Sequence, residues 1–487
     1  MKHPEIKNIK DVKGALASNN FQLFGIGGFP STRSEIWPFV PGYEIICSNK
    51  TGELQSVRQN VPVNVFSKKK KPIPYPVKKP FLLLSDKKVE SFIRRNSKGK
   101  KVGIYIYQPT SEVEDICRKK GWMMIANPSK LYKKLDSRQV FYRLLKKIGF
   151  ERKVILLKLK ELPNKIDYIF EKLGNKVAIQ LMDEGGGRGT LFFEKKDKDI
   201  VVRQIKTRLE IIKKGGENPR LSVSSFIEGP ALSITSCITK NNGVLSSYCQ
   251  YQLIDIPEVT RNKGDATGIF CGHDWSLSNN IPPGIHKRSR SLAKKIGGEL
   301  RKKGALGIFG LDLMWNKKNN SLIPLEINLR LLGTFPTAVY VQLEKKEVPL
   351  VAFHVLDLLG IQYKVSELSV YSKKAKRNGA HLLLFNPLGC DAFSSKNLRG
   401  GIYEIKSRKL KFIRFGVELK DIKKKGEFII TEGVPEAGAV YRRNGKILKV
   451  ITRQSISKRG GKELSAWGKT IARTVYKGLS LKPYDKN

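Results

Sequence analysis

Four polar side chains stand among residues that normally seek the interior. In GIFGLDLMW (Gly307–Trp315) and SLIPLEINLR (Ser321–Arg330), the residues Asp312, Glu326, Asn328 and Arg330 interrupt two apolar runs separated by the polar turn NKKNN. Apolar runs flanking such a turn predict a β-hairpin. Strand residues two apart share a face, so Glu326 and Asn328 project together and Asp312 can meet them from the partner strand. Two converging carboxylates repel each other unless a cation joins them. Oxygen ligands of this kind suit Mg²⁺ (or Mn²⁺), which retains water and phosphate oxygens when bound. Arg330 is the candidate catalytic residue, placed to meet negative charge developing beside such an ion. The competing reading, a polar stripe facing solvent, conflicts with the apolar residues on either side.

Two more passages carry chemistry. In KVAIQLMDEGGGRGTLFFEKK (Lys176–Lys196), strand-like runs flank Gly185, Gly186, Gly187, Arg188 and Gly189. Clustered glycines let backbone N–H groups converge on an anion without Cβ obstruction, and Arg188 adds a cation suited to phosphate. The loop lacks GKS/T and a following helix, so it is not a Walker A loop, and an ordinary hairpin turn is the alternative. In SVSSFIEGPALSITSCI (Ser222–Ile238), an apolar run is broken by Glu228–Gly229–Pro230 and then resumes. Such a hinge could present backbone donor and acceptor groups to a flat base, although a strand–turn–strand needs no ligand.

Elements must hold these residues, and the chain is long enough to supply them. Its 487 residues suggest about three domains at roughly 150 residues each. Forty per cent apolar residues can bury real cores. No stretch approaches the roughly 18 apolar residues of a membrane span, and no apolar run follows the basic N-terminus, so a soluble, cytoplasmic protein is expected. The six cysteines are scattered without CxxC or zinc-type spacing, as befits free thiols in a reducing compartment. Lys+Arg number 92 against 43 Asp+Glu, a formal net charge of +49. That balance fits a nucleic-acid binder, an enzyme of anionic substrates or a basic host proteome. The basic residues run from end to end, and Lys68–Lys71 reads as a solvated loop among prolines.

The N-terminal region predicts α/β units. FGIGGF (Phe24–Phe29) is a strand-to-loop turn rather than GxGxxG, and VGIYIYQ is a buried strand. Ser111 with Glu114 predicts a capping box opening a helix closed by Gly121, and Asp136 is predicted to cap the next helix. Farther on, helices are expected near Asp167–Leu173, Lys287–Lys303, Pro336–Leu359 and Gly461–Gly478. Short strands fill the region after about Val365.

The three chemical passages, in this order and spacing, resemble the ATP-grasp superfamily over roughly Leu131–Leu359. In that family a Gly-rich hairpin closes over the ATP phosphates, a hinge holds adenine, and an acid-x₁₃-Glu-x-Asn-x-Arg pattern binds Mg²⁺. The resemblance implies an α/β (α+β) chain with an ATP-grasp fold. A Rossmann-like pre-ATP-grasp domain would span 1–130 and the ATP-grasp domain 131–362, with a nucleotide lid near 150–225 and a catalytic core near 226–362. A small β-rich domain ending in a helix would span 363–487. It implies metal ligation by Asp312, Glu326 and Asn328. ATP contacts would come from Gln180, Gly185–Gly189, Ser224, Ser225, Phe226 and Ile227. Gln180 stands where the family usually carries a strand lysine, and Ser137, beside Arg138, replaces a second. Ser224 takes the place of a ribose-binding acid, and Ala231 that of another acid after the hinge. Arg188 and Lys176 are candidate sources of charge in compensation.

The activity implied is ATP- and Mg²⁺-dependent ligation: a carboxylate activated as an acylphosphate and captured by an amine or similar nucleophile. The partners expected are small molecules, anionic ones suiting the charge. The segment from Cys249 to Trp275, with Gln252, Arg261, Lys263, His273 and Asp274, resembles the family's acceptor side; His273 is a base candidate or a structural histidine. The alternative is a basic nucleic-acid-associated protein with a vestigial ATP-grasp core, marked by steep salt dependence of binding.

Overall fold

A computed structural model of the chain describes residues 3–66, 80–182, 189–212, 218–260, 268–365 and 376–484. The first 125 residues build a five-stranded parallel sheet in the order Val63–Val65, Glu44–Cys47, Phe21–Gly27, Lys101–Tyr105, Met123–Ile125. The chain leaves the central strand in one direction and returns on its other side. Strand ends and loops therefore gather beside Gly27 and Tyr105, the position where such sheets open a crevice. Buried residues such as Phe24, Ile26, Ile45 and Ile46 run on consecutively, as strands covered on both faces require.

Two helix starts differ from expectation by one residue. Thr110, in extended conformation, caps Ser111–Lys120 by accepting from the Val113 N–H at 3.3 Å. Glu114 does not close a capping box; its carboxylate accepts from the Ser129 N–H at 2.9 Å and so ties this helix to the next. Ser137, not Asp136, caps Arg138–Lys147. Asp136 ends the preceding helix and turns its carboxylate to the Leu329 N–H at 2.8 Å, fixing the end of the acidic hairpin.

A four-stranded antiparallel sheet follows, in the order Val154–Lys158, Arg220–Ser225, Lys176–Leu181, Thr190–Glu194. The helix Leu162–Leu173, longer than predicted, packs Ile169, Phe170 and Leu173 on it. The largest sheet has eleven strands among the described residues. It starts with the hairpin Ser321–Asn328 and Gly307–Asn316 and continues through Ala231–Ile238, Gln250–Ile254 and Phe270–Asp274. From there it passes into Ala380–Phe385, Lys446–Thr452, Phe428–Thr431, Gly401–Lys406 and Lys409–Arg414, and the short Val244–Ser246, paired to Ala231–Ile238, is the eleventh. Because Gly272–Asp274 pairs with Ala380–Leu382, the C-terminal strands extend the sheet that carries the hairpin.

Helix Pro283–Lys302 covers one face of this sheet, burying Ile285, Ala293, Ile296 and Leu300 at its helical spacing. Leu350–Leu358 is buried on every side. The single helix expected over Pro336–Leu359 is two, Thr337–Glu344 and Leu350–Leu358: Lys346 takes a left-handed φ of +57° past the end of the first, and Pro349, itself extended and without a donor, caps the start of the second. Likewise the last helix begins at Ala466, since Gly460 and Gly461 take φ of +69° and +85°. Five of the six cysteines are buried, Cys390 is exposed, and all are free thiols. No helix among the described residues is long and apolar enough to cross a membrane.

Candidate active site

The hairpin register sets Asp312 opposite Glu326 and Gly310 opposite Asn328, with a bulge between Asp312 and Leu313. Alternation sends Leu311 and Leu313 into the core, fully buried, and Asp312, Glu326 and Asn328 to the other face. There the Asn328 Nδ2 donates to Asp312 Oδ2 at 3.2 Å, and Gln252, from a strand farther across the sheet, donates to Asp312 Oδ1 at 2.8 Å. Arg138 donates to Glu326 Oε2 at 3.1 Å. Burial, then the nearby Glu326 carboxylate, push Asp312 up to about 7 against the pull of Gln252.

This donor set fits a divalent ion. A carboxylate that ionises reluctantly beside a second carboxylate is relieved by a cation. No group of three His, Cys, Asp or Glu suitable for a metal occurs among the described residues, so this site rests on two acids and one amide.

Above the hairpin lies a cavity of about 610 Å³, roofed by the four-stranded sheet. Gln180, Ser224, Ser225, Phe226 and Ile227 line it together with Asp312, Glu326, Asn328 and Arg330. Gln180 is clamped between Arg138, which donates to its Oε1 at 2.9 Å, and the Thr190 hydroxyl at 3.2 Å. Ser224 Oγ accepts from Arg152 at 3.1 Å, whereas Ser225 turns its hydroxyl away to the Leu173 carbonyl at 2.7 Å. Phe226 stands edge-on to Phe192, ring centroids 5.3 Å apart, with Lys176 Nζ 4.6 Å from its ring centre. An aromatic and apolar slot flanked by cations is what a nucleotide base and its phosphates require. Gly229 is essential to the hinge: a Cβ there would lie 2.0 Å from the Trp315 carbonyl oxygen. Gly189 lies in the turn before Thr190 and its carbonyl accepts from the Leu181 N–H at 2.9 Å; Gly185, Gly186, Gly187 and Arg188 lie outside the described residues.

Arg330 is anchored from two sides. It donates to Asn328 Oδ1 at 2.8 Å and to the Tyr107 hydroxyl, and the Leu331 N–H reaches the Tyr107 carbonyl at 3.2 Å. Tyr107 follows a strand of the N-terminal parallel sheet, and Arg33 lies 5.2 Å from its ring centre. His273 contacts Ser233 Oγ at 2.9 Å and His381 Nε2 at 3.4 Å; burial, helped by Lys449, drops it to about 3, so it is neutral. Asp274 is consumed by Ser455, Ile456 and Ser457. Arg261 and Lys263 lie outside the described residues.

Sequence reasoning passed over Arg152 and Tyr107, and took Arg138 only as a neighbour of Ser137. Arg152 sits in a connecting segment without periodicity, and Tyr107 belongs to another sheet. Spacing carries no signal for either.

No protein-family model and no curated protein sequence matches the chain. Solved structures do match. The biotin carboxylase domain of Hydrogenobacter thermophilus 2-oxoglutarate carboxylase, in complex with MgADP, ADP and bicarbonate, aligns with TM-score 0.56 and 14% identity over 89% of this chain and 86% of that one. Campylobacter jejuni biotin carboxylase, with a β-γ-ATP complex, gives TM-score 0.56 and 11% identity over 88% and 86%. Carboxyaminoimidazole ribonucleotide synthase of Aspergillus clavatus, complexed with ATP, gives 0.50 and 14% over 89% and 94%. The chain has the ATP-grasp fold.

Proposed function

We propose that the protein is an ATP- and Mg²⁺-dependent ligase that activates a carboxylate as an acylphosphate and joins it to an amine or similar nucleophile. The observation that carries this reading is the convergence of Asp312, Glu326, Asn328 and Arg330 beneath the slot formed by Gln180, Ser224 and Phe226. The likeness to nucleotide-bound biotin carboxylase structures supports it at the level of the fold.

In this reading Phe226 and Ile227 hold the base, with Lys176 over the Phe226 ring at that end, and Arg138 beside Gln180 faces the phosphates in place of the missing lysines. A divalent ion held by Asp312, Glu326 and Asn328 would neutralise the β- and γ-phosphate oxygens during in-line transfer. A carboxylate oxygen attacks the γ-phosphorus, the bridging P–O bond breaks, and ADP leaves with its electron pair. The nucleophile then attacks the acyl carbon and expels inorganic phosphate. Arg330, held by Asn328 and Tyr107, faces the charge that builds on the acyl oxygen. His273, buried and engaged with Ser233 and His381, binds a proton too weakly to serve as the base in this reading, and the amine proton passes to water or phosphate.

Coupled ADP release, measured with a panel of small carboxylates and amines, tests the proposal. Bicarbonate belongs in the panel because the Hydrogenobacter domain is in complex with it. Carboxylate-stimulated, Mg²⁺-dependent ADP and phosphate release is expected. Salt-sensitive nucleic-acid binding without any Mg²⁺-ATP binding would overturn the reading.

A further inference from the structure

A second concavity, of about 840 Å³, shares no lining residue with the cavity above the acidic hairpin. One wall is the helix Pro283–Lys302, and Lys287, Arg290 and Lys294 recur there at the three- and four-residue spacing that places them on one face. Lys295 and Lys376 complete a cationic rim. Among the described residues no carboxylate comes within 4 Å of any of these five. The helix's own acid, Glu299, is bound by Lys147 and Lys302 at 2.5 and 2.6 Å, and the nearby Glu347 pairs with Arg377.

The floor is of a different kind. Trp275 and Ile281 are buried there, and the His286 ring stands edge-on to Tyr248 with centroids 5.1 Å apart. Arg377 and Arg290 lie 4.3 and 5.5 Å from the Tyr248 ring centre. Stacking a guanidinium on an aromatic ring restrains it before any ligand arrives, so less freedom is lost on binding. Burial, reinforced by Arg377, holds His286 down to about 4, leaving a neutral polar ring within the cationic rim.

Repelling cations gathered around a concave, partly apolar floor call for an anion. We infer that this groove is a binding site for a small organic polyphosphate, separate from the catalytic cavity. Phosphate groups supply several charges in little volume and match the Arg290 fork and the lysine ammonium groups around it. A concavity of this size suits a nucleotide-sized molecule rather than a duplex or a membrane surface. Tyr248, already approached by two arginines, offers no free platform for successive stacked bases, which argues against a single strand.

Titration of the full chain with metal-free inorganic tripolyphosphate, followed by calorimetry and by Trp275 fluorescence against a Trp275→Phe control, tests the site. Binding is expected to survive Arg138→Ala in the catalytic cavity. It should weaken by at least about tenfold in Lys287→Ala/Arg290→Ala/Lys294→Ala. Should that triple variant fold poorly, Ser291→Glu places an acid on the same exposed face and should weaken binding comparably. Equal affinity in wild type, the triple variant and Ser291→Glu would overturn the proposal. So would a single-stranded oligonucleotide binding the groove more tightly than tripolyphosphate.

Discussion

Arg138 spans the candidate cavity, holding Glu326 at 3.1 Å with one nitrogen and Gln180 at 2.9 Å with the other. One guanidinium thus links the roof sheet to the acidic hairpin, from the residue next to where the ATP-grasp pattern has a lysine. It neutralises Glu326 before an ion arrives and lines the cavity in which the proposed nucleotide would lie.

Removing this link should cost nucleotide binding before chemistry. A hydrogen bond to a charged group is worth roughly 1.5–3 kcal/mol, so Arg138→Ala should raise the KM for ATP by about 10- to 100-fold. Arg138→Lys should restore part of it. Initial-rate kinetics with varied ATP would show this, and an unchanged KM in Arg138→Ala would separate Arg138 from the phosphates.

Asp312 supplies a pH signature. Its folded value of about 7 lies above the ordinary aspartate range, so folding favours the proton. The metal-free protein is therefore most stable below about pH 3.9 as far as this group is concerned, and that contribution is lost as pH rises through about 7. The loss is up to about 4 kcal/mol, less to the extent that water in the cavity screens the charge. Asp312→Asn should accordingly raise the melting temperature of the metal-free protein at pH 8 and raise it by only about a third as much at pH 5. In the wild type, affinity for the divalent ion should fall as pH drops below about 7. Melting curves at the two pH values, with and without Mg²⁺, check both; a pH-independent difference would remove Asp312 from the ion site.

Much of this was legible in the chain itself. The alternation of Leu311, Asp312 and Leu313 places one acid on a face that its neighbours shun, and Glu326–Asn328 repeats the pattern across the turn; the register follows from strand geometry. The fold class was legible from the same passages. Long-range partners were not. Gln252 reaches Asp312 across the sheet, Tyr107 reaches Arg330 from the N-terminal sheet, and Asp136 leaves its helix to bind the Leu329 N–H. Local pattern predicts a capping role for Asp136, and tertiary hydrogen bonding takes it elsewhere. The split of Pro336–Leu359 was visible in Pro349, yet the apolar run around it masks the break.

Arg330 should act on turnover. Arg330→Ala is expected to lower kcat by about 100-fold or more while moving the KM for ATP little, as removal of a group that meets transition-state charge does. Tyr107→Phe deletes only the hydroxyl that receives Arg330, and about 1 kcal/mol, or roughly fivefold in kcat, is expected. The opposite split, a large KM effect with kcat preserved, would assign Arg330 to ground-state binding.

Gly229 tests the hinge. The contact a Cβ would make with the Trp315 backbone cannot be relieved by rotating a side chain. Gly229→Ala should lower stability by about 1–3 kcal/mol, as overpacking does, and pull the hinge off the hairpin strand. Denaturant titration measures it; wild-type stability would show that the hinge accommodates the methyl group.

The most direct measurement is binding of Mn²⁺-ATP, followed by electron paramagnetic resonance of the ion, in the wild type and in Glu326→Gln at matched melting temperature. The account predicts one nucleotide-dependent Mn²⁺ site in the wild type, lost in Glu326→Gln together with ADP formation. A folded Glu326→Gln protein that still holds Mn²⁺-ATP and still turns over would contradict it.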